Sequence, residues 1–320
     1  MLTNKYLSVI PIAYKDAGNI KELYKRLSSA LKKITPKYEI IYVNDSSPDK
    51  SGEILKELAL RDRHLTVITH SRNFGAQNAF TTGMRQAIGD AVVIMDGDLQ
   101  DPPELIEKFV KKWLEGFEVV YGVRRRREKS MGKFWEYAYH LFYVTFNKLS
   151  YIDVPLDVGD FSLMDRRVID HINNLPEKDR FLRGLRAWVG FKQTGIEYIR
   201  PERFSGHSTN NFIKNLTWAR RAIFSFSYTP LEWVFYIASI SVLISVGAAI
   251  FYLVLYFLNP NAPKGFLTIL VAVLFLGSIQ LFVLSIIGEY LKRIFEEVKG
   301  RPSAIVREII NDHKKKRGRK

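Results

Sequence analysis

"VVIMDGDLQDPPE", residues 92 to 104, decides how the chain is read. Apolar residues of strand character run directly into Asp96, Gly97 and Asp98. Carboxylates two residues apart repel each other and are seldom buried without a partner. A strand that ends this way requires positive charge at its mouth.

Upstream, the same alternation of apolar run and helical stripe repeats. "YLSVIPIAY" (6–14), "YEIIYVND" (38–45), "LTVITH" (65–70), "AVVIMDGD" (91–98) and "FEVVYGVR" (117–124) have strand length and composition. Between them, residues 19–34, 51–62, 76–88 and 103–116 show helical periodicity. Ile20, Leu23, Leu27, Ala30 and Leu31 form one stripe, Ser51 is the expected N-cap of the second helix, and Pro103 opens the fourth. Strand and helix in alternation predict an α/β fold with a mostly parallel sheet and helices on both faces.

Ligands of such sheets bind beyond the carboxyl ends of the strands. The polar residues fall at those ends: Tyr14 and Asp16, Asp45, Arg72 and Asn73, Asp96 and Asp98, and Arg124. Their convergence, not any one of them, predicts a site. No Gly-x-Gly-x-x-Gly follows the first strand, and no Gly-x-x-x-x-Gly-Lys is present, so neither device for cradling phosphate is available. Two carboxylates suit Mg²⁺ or Mn²⁺, which take oxygen ligands and bridge to substrate phosphates. A cation with a diphosphate is the expected partner of Asp96 and Asp98.

The chain has 320 residues, a net charge of +15 and no cysteine. Disulfides and thiolate metal sites are excluded, and the charge predicts an acidic partner. Residues 233–258 and 266–288 contain no charged side chain. Each run exceeds the roughly 20 residues that cross a bilayer, which predicts a two-helix transmembrane hairpin within 231–290. The turn between them holds one cation, Lys264, whereas Arg200, Arg203, Lys214, Arg220 and Arg221 precede the hairpin and Lys292, Arg293, Lys299, Arg301 and "HKKKRGRK" follow it. By the positive-inside rule the domain of residues 1–210 and both termini are cytoplasmic. No signal peptide is expected. Residues 291–320 read as a basic tail against anionic headgroups. A nucleic-acid partner is not expected, because two spans divide the basic residues. Residues 133–150 and 211–230 read as amphipathic interfacial helices, and the apolar surface of two spans leaves room for a homo-oligomer.

The motifs "VNDSSPD", "SRNFGAQNA", "MDGDLQDPPE", "YGVRRRR", "PLDVGDFSLMDRR", "RFSGHS" and "SFSYTPL", followed by two spans and "GEYLKRIFEEVKGRP", cover nearly the whole chain. In this order they resemble the inverting family 2 glycosyltransferases of GT-A (Rossmann-like) fold. The resemblance is to the branch that charges polyprenyl phosphate with a sugar, which includes dolichol-phosphate mannose synthase and the bacterial undecaprenyl-phosphate glucosyltransferases. It implies a protein of the bacterial inner membrane that moves a hexose, glucose first among the candidates, from a UDP-sugar to polyprenyl phosphate.

The resemblance also implies roles. Asp45 faces the uracil or ribose. Asp96 and Asp98 bind metal and diphosphate with Gln100 beside them. Pro11, Tyr14 and Asp16 stand in the first donor motif, and Arg72 joins the donor side. Arg124, Arg127 and Arg203 meet phosphate. Asp157 and Asp160 line the acceptor site, where either could orient the acceptor or take a residual proton. The first motif departs from the family pattern, with Lys15 for Asn and Asp16 for Glu. Ser162 stands where Arg is usual and Thr209 where Lys is usual. A processive polysaccharide synthase would carry more spans and a Gln-x-x-Arg-Trp signature, which "RGLRAW" does not match. A non-catalytic scaffold that binds sugar nucleotides is the alternative from another class.

Overall fold

The computed structural model describes residues 1–124, 152, 158–201, 224, 226–258 and 265–317. Its apolar runs are strands because both of their faces are covered. β1 (Leu7–Ala13), β2 (Tyr38–Asn44), β3 (Leu65–His70) and β4 (Ala91–Met95) are buried almost throughout and pair in parallel in the order β3-β2-β1-β4. Helices α1 (Ala17–Ile34), α2 (Ser51–Arg61), α3 (Ala76–Gln86) and α4 (Leu105–Leu114) alternate with them. Leu23 and Leu27 of α1 and Phe109 of α4 pack with Val9, Ile40 and Val93 on one face. Phe80 and Met84 of α3 pack with Ile10, Ile41 and Val92 on the other. Neighbouring strand residues thus serve opposite cores, as the pleat dictates.

Two helix starts differ from expectation. Lys50, not Ser51, is the N-cap of α2. Asp49 supplies the cap, its carboxylate accepting from Ser51 N at 2.9 Å and from Ala17 N at 3.0 Å. Pro102 and Pro103 form a turn ahead of α4, whose first residue is Leu105.

Beyond β5 (Val119–Arg124), β6 (Val158–Asp165) runs antiparallel to both β4 and β5, with Ser162 opposite Ile94 and Tyr121. That reversal returns residues 158–160 to the mouth of β4. α5 (Arg166–Asn174) and α6 (Leu182–Trp188) follow, and β7 (Gln193–Tyr198) pairs in parallel with β5. This mixed, mostly parallel sheet with helices on both faces is the GT-A arrangement that the resemblance implies.

α7 (Thr229–Leu258) and α8 (Phe266–Val298) contain the two apolar stretches long enough to cross a membrane. They are not core helices. Phe235, Leu243, Leu274 and Leu281 are each more than 60% exposed, and no described residue covers them. An uncovered apolar surface of this extent needs a nonaqueous neighbour. The far end of α8 leaves the apolar stretch: Tyr290 Oη donates to Ser227 O, just ahead of α7, at 2.8 Å, and Glu297 accepts from Lys178 N, between α5 and α6, at 2.7 Å.

The expected basic tail is partly built into the sheet. β8 (Val306–Ile310) pairs antiparallel with β3 and completes the order β7-β5-β6-β4-β1-β2-β3-β8. Asn311 Nδ2 reaches the carbonyls of Ala59 at 2.6 Å and Leu65 at 3.1 Å. α9 (His313–Arg317) follows, and its His313 faces the buried Glu39 at 3.2 Å. The physical reason is the open edge of β3, whose unpaired backbone groups β8 satisfies. The expected interfacial segments at 133–150 and 211–230 lie outside the described residues, apart from Phe224 and residues 226–230.

Candidate functional site at the strand ends

The turn after β4 is fixed by contact with β1. A Cβ on Gly97 would stand 2.1 Å from the Ile12 carbonyl oxygen, so only glycine fits between the two aspartates. Asp98 then folds over the turn, accepting from Gln100 N at 3.1 Å. Leu99 takes a left-handed φ of 62°. Tyr42 Oη, fully buried beneath Gly97, has no hydrogen-bond partner among the described residues.

Four carboxylates gather here. Asp98, Asp101 and Asp160 are buried and Asp96 is half-buried. Burial, then Asp101, Asp98 and Asp160, push Asp96 up to about 8, against the opposing pull of Arg124. Burial likewise raises Asp101, although Arg124, Tyr198 and Arg200 draw it back. An acid kept this far from its usual range marks a site short of positive charge.

Cations approach from the other side. Arg124, at the end of β5, donates to Tyr198 Oη at 3.4 Å, and Tyr198 donates to Asp101 at 2.6 Å. Burial lowers the Arg124 guanidinium, but Asp101 and Tyr198 outweigh it and hold the charge. Gly159 makes room for that side chain, since a Cβ there would lie 2.7 Å from Arg124 Nη2. Arg200 stands 3.9 Å from Asp98. Gln100 Nε2 donates to Pro201 O at 3.2 Å, closing the strand β7 exit onto the aspartate turn.

Asp160 is placed differently from a free base. Arg183 grips it with Nε at 3.0 Å and Nη2 at 3.1 Å, and Gln77 Nε2 adds a bond at 3.2 Å. Burial would raise its carboxyl, but Arg183, Arg186 and Gln77 hold it below the usual range. Asp45 is also fully engaged. Its oxygens face His70 Nδ1 at 2.7 Å, Phe74 N at 2.9 Å and Gly75 N at 2.8 Å, so it ties down the loop that opens α3.

The structure therefore brings Asp96, Asp98, Gln100, Asp160 and Arg124 together. Tyr14 and Asp16 sit at the neighbouring end of β1, joined through the Tyr14 N to Asp16 bond of 3.2 Å. Arg72 is exposed on the next loop and stacks on Phe74 at 4.4 Å. Pro11 lies buried within β1 opposite Met95, short of the strand end. Arg127, Asp157 and Arg203 lie outside the described residues. Asp101, Tyr198, Arg183 and Arg186 carry no role in the sequence pattern, and Arg200 enters it only as a cation ahead of the hairpin. The strand-end rule applied to β7 would have found Tyr198 and Arg200.

Among the described residues, no three Asp, Glu or His side chains converge as a complete cation cage. What the site offers is the carboxylates of Asp96 and Asp98 in an acid-rich turn. That donor set fits a hard divalent cation that draws its remaining ligands from phosphate and water.

The family profile described as "Glycosyl transferase family 2" matches residues 8–172. An uncharacterized glycosyltransferase of Synechocystis sp. is 41% identical over 95% of this chain and 95% of its own. The SfII prophage-derived bactoprenol glucosyl transferase of Shigella flexneri is 37% identical over 93% of both chains. Among solved structures, mannosyl-3-phosphoglycerate synthase from Rubrobacter xylanophilus is 18% identical with a TM-score of 0.47, covering 68% of this chain and 72% of that one.

Proposed function

The chain belongs to glycosyltransferase family 2, and from that premise we propose that it transfers glucose from UDP-glucose to polyprenyl phosphate, with inversion at the anomeric carbon. The observation that carries this reading is the reach of the similarity to a bactoprenol glucosyl transferase. It spans 93% of both chains, enough to take in the membrane helices as well as the catalytic sheet.

The reaction makes one bond and breaks one. An oxygen of the acceptor phosphate attacks the anomeric carbon from the face opposite UDP. The carbon–oxygen bond to the β-phosphate breaks, and its electron pair leaves with UDP. Asp96 and Asp98 would hold Mg²⁺ or Mn²⁺, which would supply charge to offset that of the diphosphate. Arg124 and Arg200 supply fixed cations to the same charge, preorganised by Tyr198 and Asp98. Arg127 and Arg203 add to the phosphate contacts. Tyr14, Asp16 and Arg72 border the donor's nucleoside, while Asp45 and Pro11 shape the loop and strand beside it. The acceptor phosphate is anionic near neutral pH, so a strong base is not required. Asp157 is the residue left to take a residual proton, because Asp160 is committed to Arg183.

The fold supports a location with the whole sheet on one side of a membrane. One hydrogen-bonded sheet cannot lie on both sides of a bilayer. Since β1–β7 precede α7 and α8 while β8 follows them, an even number of crossings is required. The catalytic domain and both termini face the cytoplasm at the bacterial inner membrane, where the cations at the ends of the hairpin meet anionic headgroups.

The test is a donor screen. Purified protein is given a short-chain polyprenyl phosphate with UDP-glucose, UDP-galactose or GDP-mannose in turn. The expected result is an extractable lipid-linked sugar with UDP-glucose in preference to the others. Absence of any lipid-linked product overturns the reading.

A further inference from the structure

Phe226 belongs to the segment that leads into the hairpin, yet its ring lies in the core on the α3 side of the sheet. It is 4% exposed and packs with Phe181, Leu182 and Leu185, its centroid 6.0 Å from that of Phe181. The ring rests against Gly184, the one glycine of α6. A Cβ at that position would stand 2.6 Å from Phe226 Cζ and 2.8 Å from Phe181 Cδ1. Both rings are buried and cannot swing clear without disturbing close-packed neighbours. The contact therefore requires glycine, although glycine is a weak helix former.

The hairpin holds the other side of this segment. Tyr290 of α8 donates from Oη to Ser227 O at 2.8 Å, and its ring lies 5.1 Å from that of Phe224. Ser227 Oγ accepts from the backbone N of Thr229, the first residue of α7, at 3.2 Å. Farther along α8, Arg293 pairs with Asp179 at 3.5 Å and Glu297 accepts from Lys178 N. Those two partners lie in the loop that enters α6. The start of α7 and the end of α8 thus bear on one short helix and on the loop before it.

α6 has seven residues, too few to hold its place without tertiary contacts. What it carries is the grip on Asp160. Arg183, next to Gly184, donates to both oxygens of that carboxylate. Gln77 bridges the same carboxylate to the backbone of Leu182, with bonds of 3.2 Å and 2.8 Å. A shift of α6 therefore shifts the donors of Asp160.

We propose that Gly184 and Phe226 form the joint through which the membrane hairpin sets the active site: the ring of Phe226 seats on α6 at the position that has no side chain, and so aligns Arg183 with Asp160. Both are positioning residues that act through Arg183. The inference rests on the reading of the chain as a polyprenyl-phosphate glycosyltransferase with Asp160 at its site. It adds a mechanical link between that site and the bilayer.

The test measures lipid-linked glucose formed by the full-length protein in detergent from labelled UDP-glucose and a short-chain polyprenyl phosphate. Gly184→Ala is expected to lower kcat about 10-fold, less than the roughly 100-fold that an ångström of misplacement can cost, with the UDP-glucose KM within about twofold. Adding Phe226→Leu removes the clashing ring and returns kcat to within about threefold of wild type. In an Arg183→Gln background Gly184→Ala costs less than about twofold further, because the link it works through is already gone. A merely structural role would give the same loss in both backgrounds. Tyr290→Phe, which unties α8 from Ser227, lowers kcat by a smaller factor than Gly184→Ala. Should Gly184→Ala fail to fold, Phe226→Leu alone is measured in the two backgrounds, with about a threefold loss in the first and none in the second. Should Arg183→Gln make no product, Arg183→Lys takes its place. An unchanged kcat in Gly184→Ala or Tyr290→Phe, a double variant no better than Gly184→Ala, or an equal loss in the two backgrounds overturns the proposal. If wild type makes no lipid-linked sugar, the underlying reading fails and takes this one with it. If wild type transfers and the variants behave like it, this inference alone falls.

Discussion

Asp96, Asp98 and Asp101 come from one turn after β4, whereas Arg124, Arg183, Arg186 and Arg200 come from β5, α6 and the exit of β7. The acid wall is a single loop pinned by Gly97 against β1. The cationic wall is assembled by the sheet from three separate elements, and the reversed strand β6 brings Asp160 between them. The acid wall can change charge state by binding a cation. The guanidiniums cannot change theirs at neutral pH, so the basic wall sets where anions go. Sugar transfer between two phosphates needs both properties, side by side.

The sharpest way to break this division is to remove one acid. Asp98→Ala should slow transfer roughly 10³-fold, the scale of several kcal/mol of charge stabilisation, while the thermal midpoint of the metal-free protein stays within a few degrees. A variant with near-wild-type, metal-dependent rates would show that the aspartate turn is not the cation's seat.

A smaller effect tests the link between the walls. Tyr198 joins Asp101 to Arg124, and Tyr198→Phe takes the shorter of two bonds from the buried Asp101 carboxylate, leaving Asp96 N at 3.4 Å. The expected cost is about 1–3 kcal/mol, or roughly 3–8 °C in thermal midpoint. No shift would mean that the two walls stand independently. Asn311→Ala probes the far edge of the sheet in the same assay. Loss of its carbonyl contacts beneath β8 should cost about 1–2 kcal/mol.

The smallest effect is a pH slope. Asp96, raised to about 8, keeps a proton that the unfolded chain gives up above about 4. Between those values the folded protein binds more protons, so this residue lowers stability as pH rises through the window. In metal-free protein, Asp96→Asn should melt a few degrees above wild type at pH 8 and together with it at pH 5. Equal slopes for the two proteins would remove the argument that the acid wall is short of positive charge.

The acid wall was legible because its chemistry is contiguous. "MDGDLQD" places the carboxylates at a strand end, and the alternation of runs and stripes around it specifies the parallel sheet. Of the cationic wall, Arg124 is legible at the end of its strand, whereas the helix arginines are not, for a physical reason. Arg183 and Arg186 sit on the seven-residue helix "LRGLRAW", a stretch whose local pattern matches no known signature here. Only the antiparallel course of β6 brings Asp160 to them. Asp45 and Asp160 lie at strand ends as the pattern predicts, yet their hydrogen bonds tie structure together. β8 escaped notice because "IVREII" is short and follows a charged segment. Its strand character comes from the open edge of β3.

The most direct test of the account combines metal and lipid in one assay. Wild type and Asp98→Asn are stripped with EDTA, supplied with labelled UDP-glucose and short-chain polyprenyl phosphate, and then given Mn²⁺ or Mg²⁺. The account predicts lipid-linked glucose from wild type only after the cation is restored, and almost none from Asp98→Asn at any cation concentration. Product from stripped wild type, or equal product from the two proteins after the cation is added, would contradict it.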